Sequence, residues 1–236
     1  MSENSDKIQI LKVLVGSQAH GLATPESDFD YRGVFVAPTR AMLTLGTSYA
    51  TTSWIEGKED NTSWEIGHFL HLATKCNPTI LETFLAPVVE TTPWGDELRA
   101  LFPHVWNSTD VLNAFIGYGH NQRKKFLEDK DKCAPKYAAA YARTLVNAWE
   151  LLTSGTFTVK IQGRPEGDTI AKFKRGDYTY GEVIDFCHHW EEKVRIAYEV
   201  NPDKKTDMEF INDFLIRCRM AQFFEGTTFP QRGIVS

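Results

Sequence analysis

The residues that could do chemistry stand close together near the start of the chain. In the segment LVGSQAHGLATPESDFDYRGVFV, residues 14–36, the pair Gly16-Ser17 is followed, after a spacer, by Asp28 and Asp30. If both aspartates lie on one strand, their side chains share a face, with Cα atoms roughly 6–7 Å apart. Two like charges held so close call for a counter-charge, and hard carboxylate oxygens select magnesium or manganese over zinc. Two such ions, about 3.5–4 Å apart, would clamp the attacking and leaving oxygens of an in-line phosphoryl displacement. The Gly16-Ser17 turn supplies the other half of such a site. A glycine has no Cβ in the way, so backbone N–H groups and the Ser17 hydroxyl can approach phosphate oxygens. His20 lies inside the same loop, where it either contacts a nucleotide or holds the loop by a hydrogen bond. A D-x-D alone is common on protein surfaces; following a Gly-Ser turn at the end of an apolar strand, it reads as a metal and phosphate site.

The elements that must carry these residues follow from periodicity and punctuation. IQILKVLVG, residues 8–16, is β-branched and stopped by glycine, a buried strand. Gly21, Pro25 and Ser27 keep the next residues in a loop, and FDYRGVFVA, residues 29–37, is a second strand closed by Pro38. YATTSWI (49–55) and NTSWEI (61–66) read as two further strands. From Ile66 the period becomes helical: Ile66, Phe69, Leu70 and Ala73 fall at three- and four-residue spacings, and Asn77-Pro78 ends that helix before TILETFLA resumes. Four longer helical patterns occupy residues 108–129, 136–155, 180–200 and 206–226, with Ser108 and Thr206 as N-caps and Gly155 and Gly226 as stops. The chain thus reads as α+β: a small mixed β-sheet with flanking helices, followed by a C-terminal helical bundle. The division falls into residues 1–100 and 101–236, meeting in a packed interface near residues 90–107.

The segment GSQAHGLATPESDFDYRG, residues 16–33, resembles the G-S-x(n)-D-x-D signature of the DNA polymerase β-like nucleotidyltransferase superfamily. In detail it is similar to the YcgL/RlaP-type branch, whose pattern G-S-x-A-[YH]-G-x-A-x-x-x-S-D-x-D-x-R-G is matched at every fixed position. The resemblance continues at HFLHLATKCNPTILETF, where Asn77, Pro78 and Glu82 match, and at KYAAAYARTLVNAWELLTSG and AKFKRGD, so that it covers nearly the whole chain. It implies a nucleotidyltransferase core in residues 1–100 and a substrate- and acceptor-binding helical region in 101–236. The implied reaction moves an NMP from a nucleoside triphosphate to an acceptor hydroxyl, with two Mg²⁺ or Mn²⁺ ions and release of pyrophosphate. Asp28 and Asp30 would bind both ions, and Gly16 and Ser17 the β- and γ-phosphates. His20, Arg32, Arg143 and Lys174 join the nucleotide-binding set. The superfamily also implies a third carboxylate on a neighbouring strand; aligning DNTSWEIGHFL puts Asp60 there, with Glu65 and then Glu59 as fallbacks. Two positions depart from the pattern: His68 stands where a lysine is common, and Ala140 where a histidine precedes the arginine of the central helix. Both concern contacts to substrate and leave the metal ligands intact.

The remaining candidates have plainer readings beside the functional ones. Arg143 lies in an otherwise apolar helix, aimed at a phosphate or paired with Glu82 or Glu150. KFKRGD, residues 172–177, with Lys174 in it, is the best local basic patch for a triphosphate or an RNA backbone, or else a solvated loop. NQRKKF (121–126) reads first as a charged helix face. His188 and His189 are adjacent on a helix and point about 100° apart, so they do not share a ligand. Phe210, Phe214, Met220, Phe223 and Phe224 form a stripe that reads as core packing.

With 42% hydrophobic and 12% aromatic residues the chain is globular rather than disordered. Its net charge of -5 argues against broad binding to polyanions, so any nucleic-acid contact has to be local. Four dispersed cysteines form no C-x-x-C and read as reduced, buried thiols. No apolar run approaches a membrane span, and a cytoplasmic protein with no membrane partner is expected. The acceptor is an RNA end, a protein hydroxyl or a small molecule. Outside this class stand a non-catalytic nucleotide- or RNA-binding module of the same fold and a D-x-D glycosyltransferase. Neither accounts as well for a Gly-Ser turn beside three acids.

Overall fold

Alternation along the first two strands sets the inner face of the sheet. In the computed structural model, which describes residues 7–25, 27–45, 50–55 and 59–225, β1 (Ile8–Val15) runs antiparallel to β2 (Phe29–Val36). Leu11, Val13 and Val15 face Val34, Arg32 and Asp30 across the pair. Four of these six are buried apolar residues, so one apolar face ends, towards the start of β2, in two charged side chains. The opposite face is more polar: the Lys12 ammonium sits 4.4 Å over the Tyr31 ring and pairs with Glu90 at 3.9 Å.

Between these strands stand α1 (Gly16–His20) and, after β2, α2 (Thr39–Met42). Three more strands complete the sheet: β3 (Thr52–Ile55), β4 (Glu59–Glu65) and β5 (Val88–Thr91), in the order β3-β4-β2-β1-β5. β2 and β4 are parallel and the other pairs antiparallel, so the sheet is mixed. The strand expected at 61–66 begins two residues earlier, which brings Asp60 inside β4. β5 lacks the length and alternation that mark a strand in sequence; pairing with β1 makes it one.

Helices α3 (Ile66–Thr74) and α4 (Pro78–Leu85) follow β4, joined through Asn77, whose side chain accepts hydrogen bonds from Thr79 N and Ile80 N as Pro78 takes the first turn. The stretch expected to be an interface holds α5 (Pro93–Ala100) and α6 (Phe102–Val105). α7 (Ser108–Leu127), α8 (Ala134–Ser154) and α10 (Tyr180–Val200) pack together, with α9 (Pro165–Arg175) against α8. α11 (Met208–Glu225) returns to the sheet half and packs on α2, α3 and α6. One cluster of buried residues runs from Ile10 to Cys218, so the core continues through residue 100. The α+β architecture is as the sequence implies.

Several local expectations are corrected. Asn107, not Ser108, caps α7, accepting from Asp110 N at 2.8 Å, while the Ser108 hydroxyl donates to Asn201 O. Asp207, not Thr206, accepts from Phe210 N at the start of α11. Gly155 does end α8, at φ +80°; Gly226 lies outside the described residues. Of the aromatic stripe only Phe214 is fully buried; Phe210, Met220 and Phe224 are exposed, because α11 turns just one side to α3 and α6. The cysteines are free, three buried and Cys133 half-buried. No described helix is long and apolar enough to cross a membrane.

A loop between α8 and α9 ties the two halves together. Phe157, Val159 and Ile161 are buried, and Ile161 N donates to His20 O at 3.1 Å, so the loop rests on the end of α1. Gly167 permits this approach, since a Cβ there would lie 1.8 Å from Ile161 O. Gly167→Ala is therefore expected to cost about 2–3 kcal/mol and to lower Tm by roughly 5–10 °C for a chain of this size. Thermal unfolding followed by circular dichroism checks this, and an unchanged Tm would refute the close packing of the loop.

Candidate active site

The Gly-Ser pair is not a free turn. Gly16, at φ +68°, lets the chain leave β1 and enter α1 directly, and Gly21, at φ +71°, ends that helix by donating to Gln18 O. The left-handed φ accounts for one constraint on Gly16; Asp30 accounts for a second. A Cβ at Gly16 would stand 2.2 Å from Asp30 Oδ2, so the carboxylate occupies the space that any side chain would need. Ser17 follows, half-buried, its hydroxyl without a hydrogen-bond partner among the described residues.

Asp28 and Asp30 do not share a strand as expected: β2 starts at Phe29, and Asp28 is exposed just before it. The parallel register of β2 and β4 sets Asp60 beside Asp30, and Glu59 beside Phe29. The side chains of Glu59 and Asp60 lie outside the described residues, among which no group of three ligating side chains is gathered. Glu65 has another task. It caps α3 through Gly67 N at 2.8 Å and pairs with Arg219 of α11 at 2.6 Å, buried to 3% exposure.

Lys174, in the helical half, is near enough to this cluster to feel the charge of Asp30. The expected basic loop is in fact the last turn of α9, capped by Gly176 at φ +85°. Burial, and then the neighbouring charge of Lys136, lower the pKa of Lys174, while Asp30 acts in the opposite direction. Lys136, at the start of α8, carried no signal in the sequence beyond its charge.

His20, Arg32 and Arg143 form a second cluster around one carboxylate, Glu82 of α4, which is 4% exposed. His20 Nε2 lies 3.1 Å from Glu82 Oε1, Arg143 Nη1 donates to Oε2 at 2.7 Å, and Arg32 Nη1 stands 3.6 Å away while donating to Thr79 O. Glu150, the other partner considered for Arg143, pairs with Arg164 instead. For His20, the loop-holding hydrogen bond is the arrangement found. Beside the cluster lies a small cavity of about 20 Å³ bordered by Tyr118 and Asn147, and Asn147 Oδ1 is buried there without a partner among the described residues. The two clusters are joined by covalent structure, because His20 stands three residues after Ser17 and Arg32 two after Asp30.

Residues 2–169 match the family model described as RlaP, RNA repair pathway DNA polymerase beta family. The chain belongs to this family. Among its relatives, the uncharacterized protein YcgL of Bacillus subtilis is 24% identical over 223 residues, 85% of either chain. An uncharacterized 38.9 kDa protein of enterobacteria phage T4, from the nrdC-mobD intergenic region, is 24% identical over 134 residues. That match takes in 50% of this chain, which spans 38% of the phage protein's length. Among solved structures, a nucleotidyltransferase-like protein from Exiguobacterium sibiricum 255-15 matches at TM-score 0.29 and 9% identity, covering 91% of this chain and 74% of its own.

Burial, reinforced by Arg143, lowers the His20 pKa below its ordinary 6.5. Burial alone would raise that of Glu82, but Arg143 and His20 outweigh it and hold the carboxylate well below 4.5. Both folded-state values are depressed, so both groups contribute stability that is complete above the unfolded values and is lost as pH falls. The His20 loss starts near 6.5 and that of Glu82 near 4.5, each with a slope of at most about 1.4 kcal/mol per pH unit. Denaturant midpoints should therefore fall between pH 7 and 5 in the wild type and less steeply in His20→Gln; equal slopes would mean that His20 titrates normally. Separately, Gly16→Ala should displace Asp30 and, with its strained φ, cost about 2–3 kcal/mol, read as a lower Tm.

Proposed function

We propose that this chain is a metal-dependent nucleotidyltransferase that moves an NMP from a nucleoside triphosphate to an acceptor hydroxyl. The observation that carries this is the Asp30 carboxylate lying over Gly16, with Asp60 next to Asp30 in the sheet and the Ser17 hydroxyl, which has no partner among the described residues, following Gly16. Membership in the RlaP family supports the same reaction class.

The donors suit a hard divalent cation, since Asp28, Asp30 and Asp60 offer only carboxylate oxygens and the exposed Asp28 is free to turn inward. These three would hold two Mg²⁺ or Mn²⁺ ions, which supply neutralisation of phosphate charge and alignment of the reacting oxygens. Gly16 and Ser17 bind the β- and γ-phosphates through N–H groups and the hydroxyl. Lys174, depressed in pKa by burial but beside Asp30, adds a positive charge for the triphosphate. Arg32 and Arg143 share one carboxylate, Glu82, so their cluster keeps a surplus positive charge even with His20 neutral. In the transfer, the acceptor oxygen bonds to the α-phosphorus as the bond to the bridging oxygen breaks. Pyrophosphate leaves with the electron pair, and the acceptor's proton passes to solvent.

The family description names an RNA repair pathway, which makes an RNA end the acceptor to test first. Incubation with α-labelled NTPs, Mg²⁺ or Mn²⁺ and mixed RNA should yield labelled product and pyrophosphate. Asp28→Asn and Asp30→Asn should each reduce transfer at least about 100-fold, the equivalent of several kcal/mol of lost charge stabilisation, with the circular dichroism spectrum unchanged. Retained transfer in both variants would overturn the mechanism.

A further inference from the structure

We propose that a single-stranded nucleic acid docks on the surface formed by the turn between α7 and α8 and the last turn of α9. The inference rests on the nucleotidyltransferase reading for the identity of Asp30 as the reaction centre, and it assigns a place to the acceptor.

Charge is the first observation. Residues 121–136 and 172–177 together hold nine basic and four acidic residues, a net +5 in a chain whose net charge is -5. Two of the four acids are already engaged, Asp129 accepting from Ala134 N at 3.1 Å and Asp131 from the Tyr137 hydroxyl at 3.1 Å. The other two pair locally, Glu128 with Lys124 and Asp177 with Arg175. Lys130, Lys132 and Lys136 are exposed and have no ion pair among the described residues. Exposed cations without ion-pair partners form a local positive field that attracts a polyanion.

Contiguity is the second. The end of α9 meets the start of α8, where a Cβ at Gly176 would lie 3.7 Å from Pro135 Cγ. Lys136, one residue after Pro135, and Lys174, two before Gly176, flank that contact, and Lys174 is near enough to Asp30 to feel its charge. The basic surface therefore starts at the reaction centre and runs outward from it. A strand tracking these cations would deliver its end to Asp30.

Aromatic faces are the third, and they favour a single strand over a duplex. Tyr180, half exposed, stacks on Phe126 at 4.7 Å, and Lys125 lies 5.4 Å over the Tyr137 ring. Rings beside cations stack unpaired bases without regard to their sequence, whereas a duplex keeps its bases covered.

The test is fluorescence anisotropy of labelled 20-nucleotide single strands, RNA and DNA, and of a duplex, with the full chain and without nucleotide or metal. The wild type is expected to bind the single strands more tightly than the duplex, and more weakly as salt rises. Lys130→Glu/Lys132→Glu/Lys136→Glu should weaken binding at least tenfold and reduce the logarithmic salt slope by about two, the share of three phosphate contacts. Tyr180→Ala should weaken it less and leave that slope unchanged. The circular dichroism spectrum of the triple variant should match that of the wild type, as a control for folding. No binding of single strands at low salt, or equal binding by wild type and triple variant, would overturn the proposal. Nucleic-acid binding without any label transfer would overturn the catalytic reading and leave the surface standing; transfer to a protein or small molecule, with no such binding, would do the reverse.

Discussion

Glu82 is the charge on which the site depends. A carboxylate at 4% exposure is costly to desolvate, and here Arg143 and His20 more than offset that cost, with Arg32 adding to it. Each partner comes from a different element: His20 from α1, Arg32 from β2 and Arg143 from α8. Ser17 precedes His20 by one turn of α1, and Asp30 precedes Arg32 by one repeat of the strand, so fixing the two cations also orients the phosphate loop relative to the acidic strand. A hydrophobic contact would fill the same space but would not set these positions, because apolar packing has no direction.

The helical half contributes to the same centre from the other side. The buried loop after α8 holds the end of α1 through Ile161, and α9 holds Lys174 where it feels the charge of Asp30. Contacts of this kind explain why the core does not stop at residue 100. α11 reinforces the arrangement from behind the sheet, where Arg219 engages Glu65, and Gln222 accepts from Thr39 N. Its exposed Met220 and Phe224 show that an apolar sequence stripe can outnumber the neighbours available to cover it.

What the sequence by itself determined lies in short stretches. The apolar β1 and β2, the Gly-Ser break, Asn77-Pro78 between α3 and α4, and Gly155 at the end of α8 are legible because local sterics and hydrogen bonding dictate them. So is the nearness of Gly16 and Asp30, which the pairing of β1 with β2 brings together. The α+β class follows from the change of period at Ile66. Tertiary structure decided what depends on partners distant in the chain. Asn107 rather than Ser108 caps α7 because Ser108 is drawn to Asn201, β5 is a strand only because β1 offers an edge, and Glu65 loses its candidacy to Arg219. Arg143 had two acids open to it, and the fold paired it with Glu82 of α4. Lys136 came near Lys174 only when α9 packed on α8. The physical reason is the same each time: backbone preference and period act over a few residues, while the pairing of buried charges is settled by which elements the core brings into contact.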